Sequence, residues 1–159
     1  MPIRNIVACV TAEAGSLITV KYAIVLAKLL SAKLTVMHVV NEKLLHELLK
    51  SRIFVEVEAR SYEKELENEG KRLLERTKLM ADKKSVPCDV VLLKGVVHQE
   101  IISQAKALST DLLIIGELKE VLSIKDTFYD EGERVFRESP CPVVVVKNAP
   151  LVERLYNEL

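Results

Sequence analysis

Two stretches decide the fold: Asp111-Leu112-Leu113-Ile114-Ile115-Gly116 and Ser139-Pro140-Cys141-Pro142-Val143-Val144-Val145-Val146-Lys147. Each holds a short, unbroken apolar run bounded by turn formers, as expected of a strand covered on both faces. Between them lie a polar segment and a short helical pattern. Strand, glycine, helix, strand is the arrangement in which an open α/β sheet usually carries its ligand chemistry.

Upstream, the same alternation repeats. Ile3 to Val10 is a nearly all-apolar strand, and Thr11 to Ser16 is rich in turn formers. From Leu17 the positions Ile18, Tyr22, Val25, Leu26, Leu29 and Leu30 recur at helical spacing, with Ser16 placed to act as N-cap. Leu34 to Val40 is a second strand, and a right-handed crossover makes it the parallel neighbour of the first. Asn41 to Ser85 reads as two helices with a joint near 51–58 and Gly70 as a weak point in the second. Asp89 to Lys94 is a third strand, followed by a helix over Val96 to Leu108. Asp111 to Ile115 and Val143 to Val146 are the fourth and fifth strands. This pattern predicts one three-layer α/β/α sandwich over residues 1–148. Residues 149–159 form a tail, either frayed or a short docked helix that starts near Pro150.

Bulk composition sets bounds. Of 159 residues, 49% are hydrophobic and 29% charged, as in a globular chain with a real core. Lys plus Arg is 23 and Asp plus Glu is 23, so no net charge draws the chain to nucleic acid or to an anionic membrane. No apolar run approaches the roughly 18 residues of a membrane span, and the N-terminus does not resemble a signal peptide. The expected setting is the cytoplasm. Cys9, Cys88 and Cys141 are odd in number and widely spaced, as expected of reduced, buried thiols.

Most catalytic chemistry finds no support. His38, His46 and His98 show no metal-ligand spacing. His38 is expected as a satisfied core or edge histidine of the second strand, and His98 in a capping or solvent-facing position. Gly15-Ser16 lacks the glycines of a nucleophile elbow. Glu117, Glu120, Asp126, Asp130 and Glu131 read as a solvated acidic surface. No catalytic set and no metal site are expected.

Four stretches point to a family: the helix Val20-Lys21-Tyr22-Ala23-Ile24-Val25-Leu26-Ala27, the strand Leu34-Thr35-Val36-Met37-His38-Val39-Val40, the strand at Asp111–Gly116, and Glu133-Arg134-Val135 running on to Cys141-Pro142-Val143-Val144-Val145-Val146. Together they resemble the universal stress protein family over residues 3–147. The resemblance implies an adenine nucleotide alpha hydrolase-like fold with a five-stranded parallel sheet in the order 3-2-1-4-5. It also implies homodimers and a cytoplasmic role in stress responses.

Many members of that family bind ATP. Their pattern after the fourth strand is a glycine, two residues, a glycine, nine residues, then a glycine and a serine or threonine. Such glycines let backbone amides close around phosphates. Anchored on Glu133-Arg134-Val135, this chain keeps only the first, Gly116. The second glycine position falls on Lys119, the third on Tyr129, and the serine position on Asp130. Gly132 sits three residues too late and reads as a loop or helix-end glycine. At the end of the first strand, Val10-Thr11 puts threonine where the family has the aspartate that holds the nucleoside. A side chain at Tyr129 takes volume the phosphates need. A carboxylate at Asp130 repels them by about 1 kcal/mol or more in a partly desolvated site. ATP is therefore disfavoured as cofactor.

In the implied strand order, the ligand crevice lies beyond Val10-Thr11 and Ile115-Gly116, with Val39 and Val40 as the adjacent wall. The fifth strand is then an edge, and Val143, Val144, Val145 and Val146 are too apolar to stay uncovered there. Pairing with the same strand of a second copy would cover them. The sequence thus points to a non-enzymatic, dimeric stress-response module that acts on an unknown protein partner. The alternative, resting on Gly116 and Lys119, is a nucleotide-binding regulator with a remodelled pocket.

Overall fold

The computed structural model describes the backbone of residues 3–11, 16–116 and 125–159, with the side chains of all of these but 43, 44 and 125–131. Five strands, β1 (Asn5–Cys9), β2 (Lys33–Asn41), β3 (Cys88–Gly95), β4 (Leu112–Gly116) and β5 (Val143–Val146), form one parallel sheet in the order β3-β2-β1-β4-β5. Ala8 stands between Val36 and Ile114, and Ile114 in turn faces Val144. The expected topology and strand boundaries hold to within one or two residues.

β1 is apolar from Ile6 to Cys9 because both of its faces are covered. Ile6 and Ala8 enter one core with Val20, Ala23, Ile24 and Ala27 of α1 (Ser16–Leu30) and Leu74 and Ala81 of α3 (Glu56–Lys83). Val7 enters the other core with Leu113, Ile101 of α4 (Val97–Ala107) and Val135 of α5 (Lys125–Glu138). This period-two division between the faces is what a doubly covered strand requires. Burying one Ile or Leu contributes about 1.5–3 kcal/mol, so the central strands anchor the fold.

The expected joint inside 41–85 falls between α2 (Glu42–Lys50) and α3. Gly70 lies within α3 and is buried. Its missing side chain has a purpose: a Cβ there would stand 2.7 Å from His38 Cδ2 and 2.9 Å from Leu92 Cδ1. Gly70 lets α3 settle onto β2 and β3. Gly132 lies inside α5 rather than in a loop or at a helix end, because that helix runs on to Glu138.

Four helices end with a non-glycine residue in the left-handed region: Ser31 (φ 53°), Arg52 (φ 58°), Ser85 (φ 58°) and Ser109 (φ 50°). In each, paired backbone bonds close the helix end. Ala32 N donates to Ala27 O at 2.9 Å, Val86 N to Ala81 O at 3.0 Å and Thr110 N to Ala105 O at 3.0 Å. These satisfy carbonyls that a helix C-terminus otherwise leaves open. Ser16 departs from the expected N-cap. It is the first residue of α1, and its hydroxyl donates to Thr11 O at 2.6 Å.

The C-terminal residues form α6 (Ala149–Asn157), capped by Asn148, whose side chain accepts from Leu151 N at 3.3 Å. Val152 is buried in the α1/α3 core. Lys21 Nζ meets Glu153 at 2.6 Å, and the Tyr156 ring lies 5.4 Å from Lys21 Nζ and 4.7 Å from Lys84 Nζ. The tail is a helix docked beside α1.

Asp111 ties the entry of β1 to that of β4. Its carboxylate accepts from Arg4 N and Asn5 N, both at 2.9 Å. These bonds, Asn5 first and then Arg4, hold the Asp111 carboxyl below its ordinary range. A depressed carboxyl stabilises the fold above its unfolded pKa, and that stabilisation is lost as pH falls. Thermal melts should therefore show Asp111→Asn melting below the wild type at pH 7. The gap should close as pH drops below the usual carboxylate value of about 3.9.

Candidate functional site

The strand order reverses between β1 and β4, so the crevice opens beyond Val10-Thr11 and Gly116. Val10 is buried and continues the ladder, its N–H donating to Met37 O at 3.0 Å. Its carbonyl accepts from His38 Nδ1 at 2.9 Å, and since a carbonyl only accepts, the ring proton sits on Nδ1. His38 is thus the satisfied, partly buried strand histidine expected, with its ring also seated on Gly70. Thr11 is exposed, and its carbonyl receives the Ser16 hydroxyl.

Gly116 ends β4, paired with Val146. A Cβ at Gly116 would lie 2.8 Å from Thr19 Oγ1. Thr19 is only 2% exposed and belongs to the first turns of α1. The glycine therefore admits a helix side chain against the end of the strand.

Val39 and Val40 do not present a shared wall. Val39 packs into the α4/α5 core, while Val40 is buried on the opposite face, since consecutive strand residues alternate. Lys119, together with Glu117 and Glu120, lies outside the described residues. Tyr129 and Asp130 fall on α5, and their side chains, with those of Asp126 and Glu131, are likewise outside them. Because α5 starts at Lys125, the amides of residues 129 and 130 lie within its i to i−4 ladder.

Around the crevice, Gly95 (φ 151°) turns β3 into α4, and a Cβ there would lie 2.7 Å from Glu100 Oε1. His98 is buried rather than solvent-facing, because the first turn of α4 folds onto the sheet. Burial pushes the Cys9 thiol up to about 12, and the charge of Cys141 acts in the same direction. Burial also raises Cys88 to about 11, partly offset by Lys78. Such thiols stay protonated and are poor nucleophiles. Among the described residues, no group of three His, Cys, Asp or Glu side chains is placed to hold a metal ion. No described helix is long and apolar enough to cross a membrane.

The sequence pattern described as the universal stress protein family matches residues 2–147. The chain belongs to that family. Universal stress protein MJ0531 of Methanocaldococcus jannaschii is 32% identical over 82 residues, a stretch that covers 52% of this chain and 48% of that protein. The match thus spans about half the length of that relative. Universal stress protein UspA from Lactobacillus plantarum shares the fold at a TM-score of 0.75 with 16% identity, over 92% of this chain and 99% of that one. The universal stress protein from Archaeoglobus fulgidus, solved in complex with dAMP, matches at a TM-score of 0.61 with 16% identity, over 92% and 100%.

In this universal stress protein, Gly116 at the end of β4 stands against Thr19 of α1. This contact predicts a specific coupling. Gly116→Ala should destabilise the fold by about 1–3 kcal/mol through overpacking. In a double-mutant cycle with Thr19→Ala, denaturant unfolding should recover about 1 kcal/mol or more of that loss. A Gly116→Ala chain as stable as the wild type would show that the contact is not tight.

Proposed function

We propose that this universal stress protein is a non-enzymatic, dimeric stress-response module of the cytoplasm that does not bind ATP in the family's usual way and acts through a protein partner. The observation that carries the reading is the Gly116–Thr19 contact, which uses the single retained loop glycine for packing. Thr11 in the aspartate position, and Lys119, Tyr129 and Asp130 in the remaining motif positions, support it from the sequence. A helix that begins at Lys125 supports it too, since it draws two of those positions into a hydrogen-bonded ladder.

The dimer rests on the two sheet edges, which differ in chemistry. β3 carries charges near its ends: Asp89 pairs with Lys33 at 2.9 Å, and Lys94 pairs with Glu63 at 2.6 Å and Glu67 at 3.0 Å. Charged residues of this kind blunt an edge against pairing. β5 is Val143 to Val146 with no charge inside it. A second copy paired along β5 would cover it about a two-fold axis. Sedimentation equilibrium at micromolar concentration should give the mass of two chains, and a clean monomer would refute the pairing.

A second reading, a nucleotide-binding regulator with a remodelled pocket, draws on the Archaeoglobus fulgidus relative that holds dAMP. Calorimetry with ATP, ADP and AMP, with and without magnesium, separates the two. The first reading expects no saturable heat. Saturable micromolar binding that is lost in a Thr11→Arg variant would establish the second.

A further inference from the structure

α1 is buried on two opposite faces, and only one of them meets the sheet. Thr19 and Ala23, one turn apart, face the strands: Thr19 stands against the end of β4, and Ala23 enters the core with Ile6 and Ala8. Lys21 and Val25, also one turn apart, lie about half a turn round the helix from that pair. Val25 is nevertheless 3% exposed, so the outer face is covered as well. α6 supplies the cover. It packs on α1 more extensively than α3 does, and Lys21 Nζ donates to both carboxylate oxygens of Glu153, at 2.6 and 2.8 Å.

α6 is held at three places along its length. Asn148, in the left-handed region (φ 62°), turns the chain off β5 and caps the helix. Val152 is 2% exposed in the core. Tyr156 reaches past α1 to α3, where its hydroxyl lies 3.5 Å from Met80 O and its ring 4.7 Å from Lys84 Nζ. The helix thus runs from the end of β5, across α1, to the last turns of α3. The match to the family pattern ends at residue 147, so all of α6 lies beyond it. A helix of nine residues is not stable alone in water, so α6 is helical only while docked. Short docked elements of this kind open separately from the rest of a fold. We propose that α6 is a detachable strap: docked, it holds α1 down on β4 with Thr19 against Gly116, and released, it lets the N-terminal half of α1 lift from the crevice. The Lys21–Glu153 pair is the link, since Lys21 lies two residues from Thr19 on the opposite side of the helix. Its side chains are 21% and 41% exposed, so solvent screens the pair less than one at the open surface. An event at the C-terminus is in this way felt at the mouth of the crevice, whether or not that crevice holds a ligand.

Amide hydrogen exchange of the full chain, read residue by residue by NMR, tests the proposal. Glu153→Lys sets two ammonium groups against each other and should speed exchange about tenfold at Val20 and Ala23. Ile101 and Ala105 of α4, in the opposite layer, should keep their rates. Glu153→Gln, the milder change, should act in the same direction to a smaller extent. The exchanged pair, Lys21→Glu with Glu153→Lys, should restore the wild-type rates. Rates no faster at Val20 and Ala23 in Glu153→Lys, with acceleration confined to residues 149–157, would overturn the proposal and leave α6 a docked tail. Fast rates that the exchanged pair does not restore, or equal acceleration at Ile101 and Ala105, would overturn it as well, since the loss would then be one of overall stability.

Discussion

The parallel pairing of β1 with β4 is the constraint on which the rest of the structure depends. Ile6, Val7 and Ala8 lie beside Leu112, Leu113 and Ile114, and the side chains of both strands alternate between two covered faces. Helices must then lie on both sides of the sheet, and each crossover returns the chain to the same end. The Asp111 carboxylate fixes the starting point by gripping the amides at the entry to β1. From there the two strands run out together and separate at Val10 and Gly116, where the crevice opens.

At the end of β4 the backbone and a helix side chain compete for space. The end of β4 approaches α1 closely enough that a Cβ at Gly116 would lie 2.8 Å from Thr19 Oγ1, so a larger residue would force a shift. The same feature that marks a phosphate loop in the sequence therefore has a second use in packing. Val10 and His38 close the neighbouring side, with a ring proton donated to the last strand carbonyl and the ring itself lodged in the gap left by Gly70.

The fold was legible because strands covered on both faces write themselves as short aliphatic runs, as β1, β2 and β4 do, and the partly buried β5 is written the same way. The helix ends fall within one or two residues of their expected places, although they lack the usual signal. Ser31, Arg52, Ser85 and Ser109 occupy positions where glycine is the usual signal, so no punctuation marked them. Gly70 was read as a flaw in α3 because its partners, His38 and Leu92, come from distant strands. Thr19 was missed at the candidate site for the same reason: nothing local to α1 indicates that it faces Gly116. Val39 and Val40 were grouped as a wall by sequence adjacency, whereas a strand sends neighbours to opposite faces. The docking of α6 came from Val152 and the Lys21–Glu153 pair, contacts that only the folded chain brings together.

The central proposal is that this chain does not hold a nucleotide in the family's usual way in the crevice beyond β1 and β4. Native mass spectrometry of the purified full chain, without added ligand, tests this most directly. The account predicts masses of the chain and its assemblies with no bound small molecule. An adenine nucleotide retained at one per chain, and released on unfolding, would contradict it.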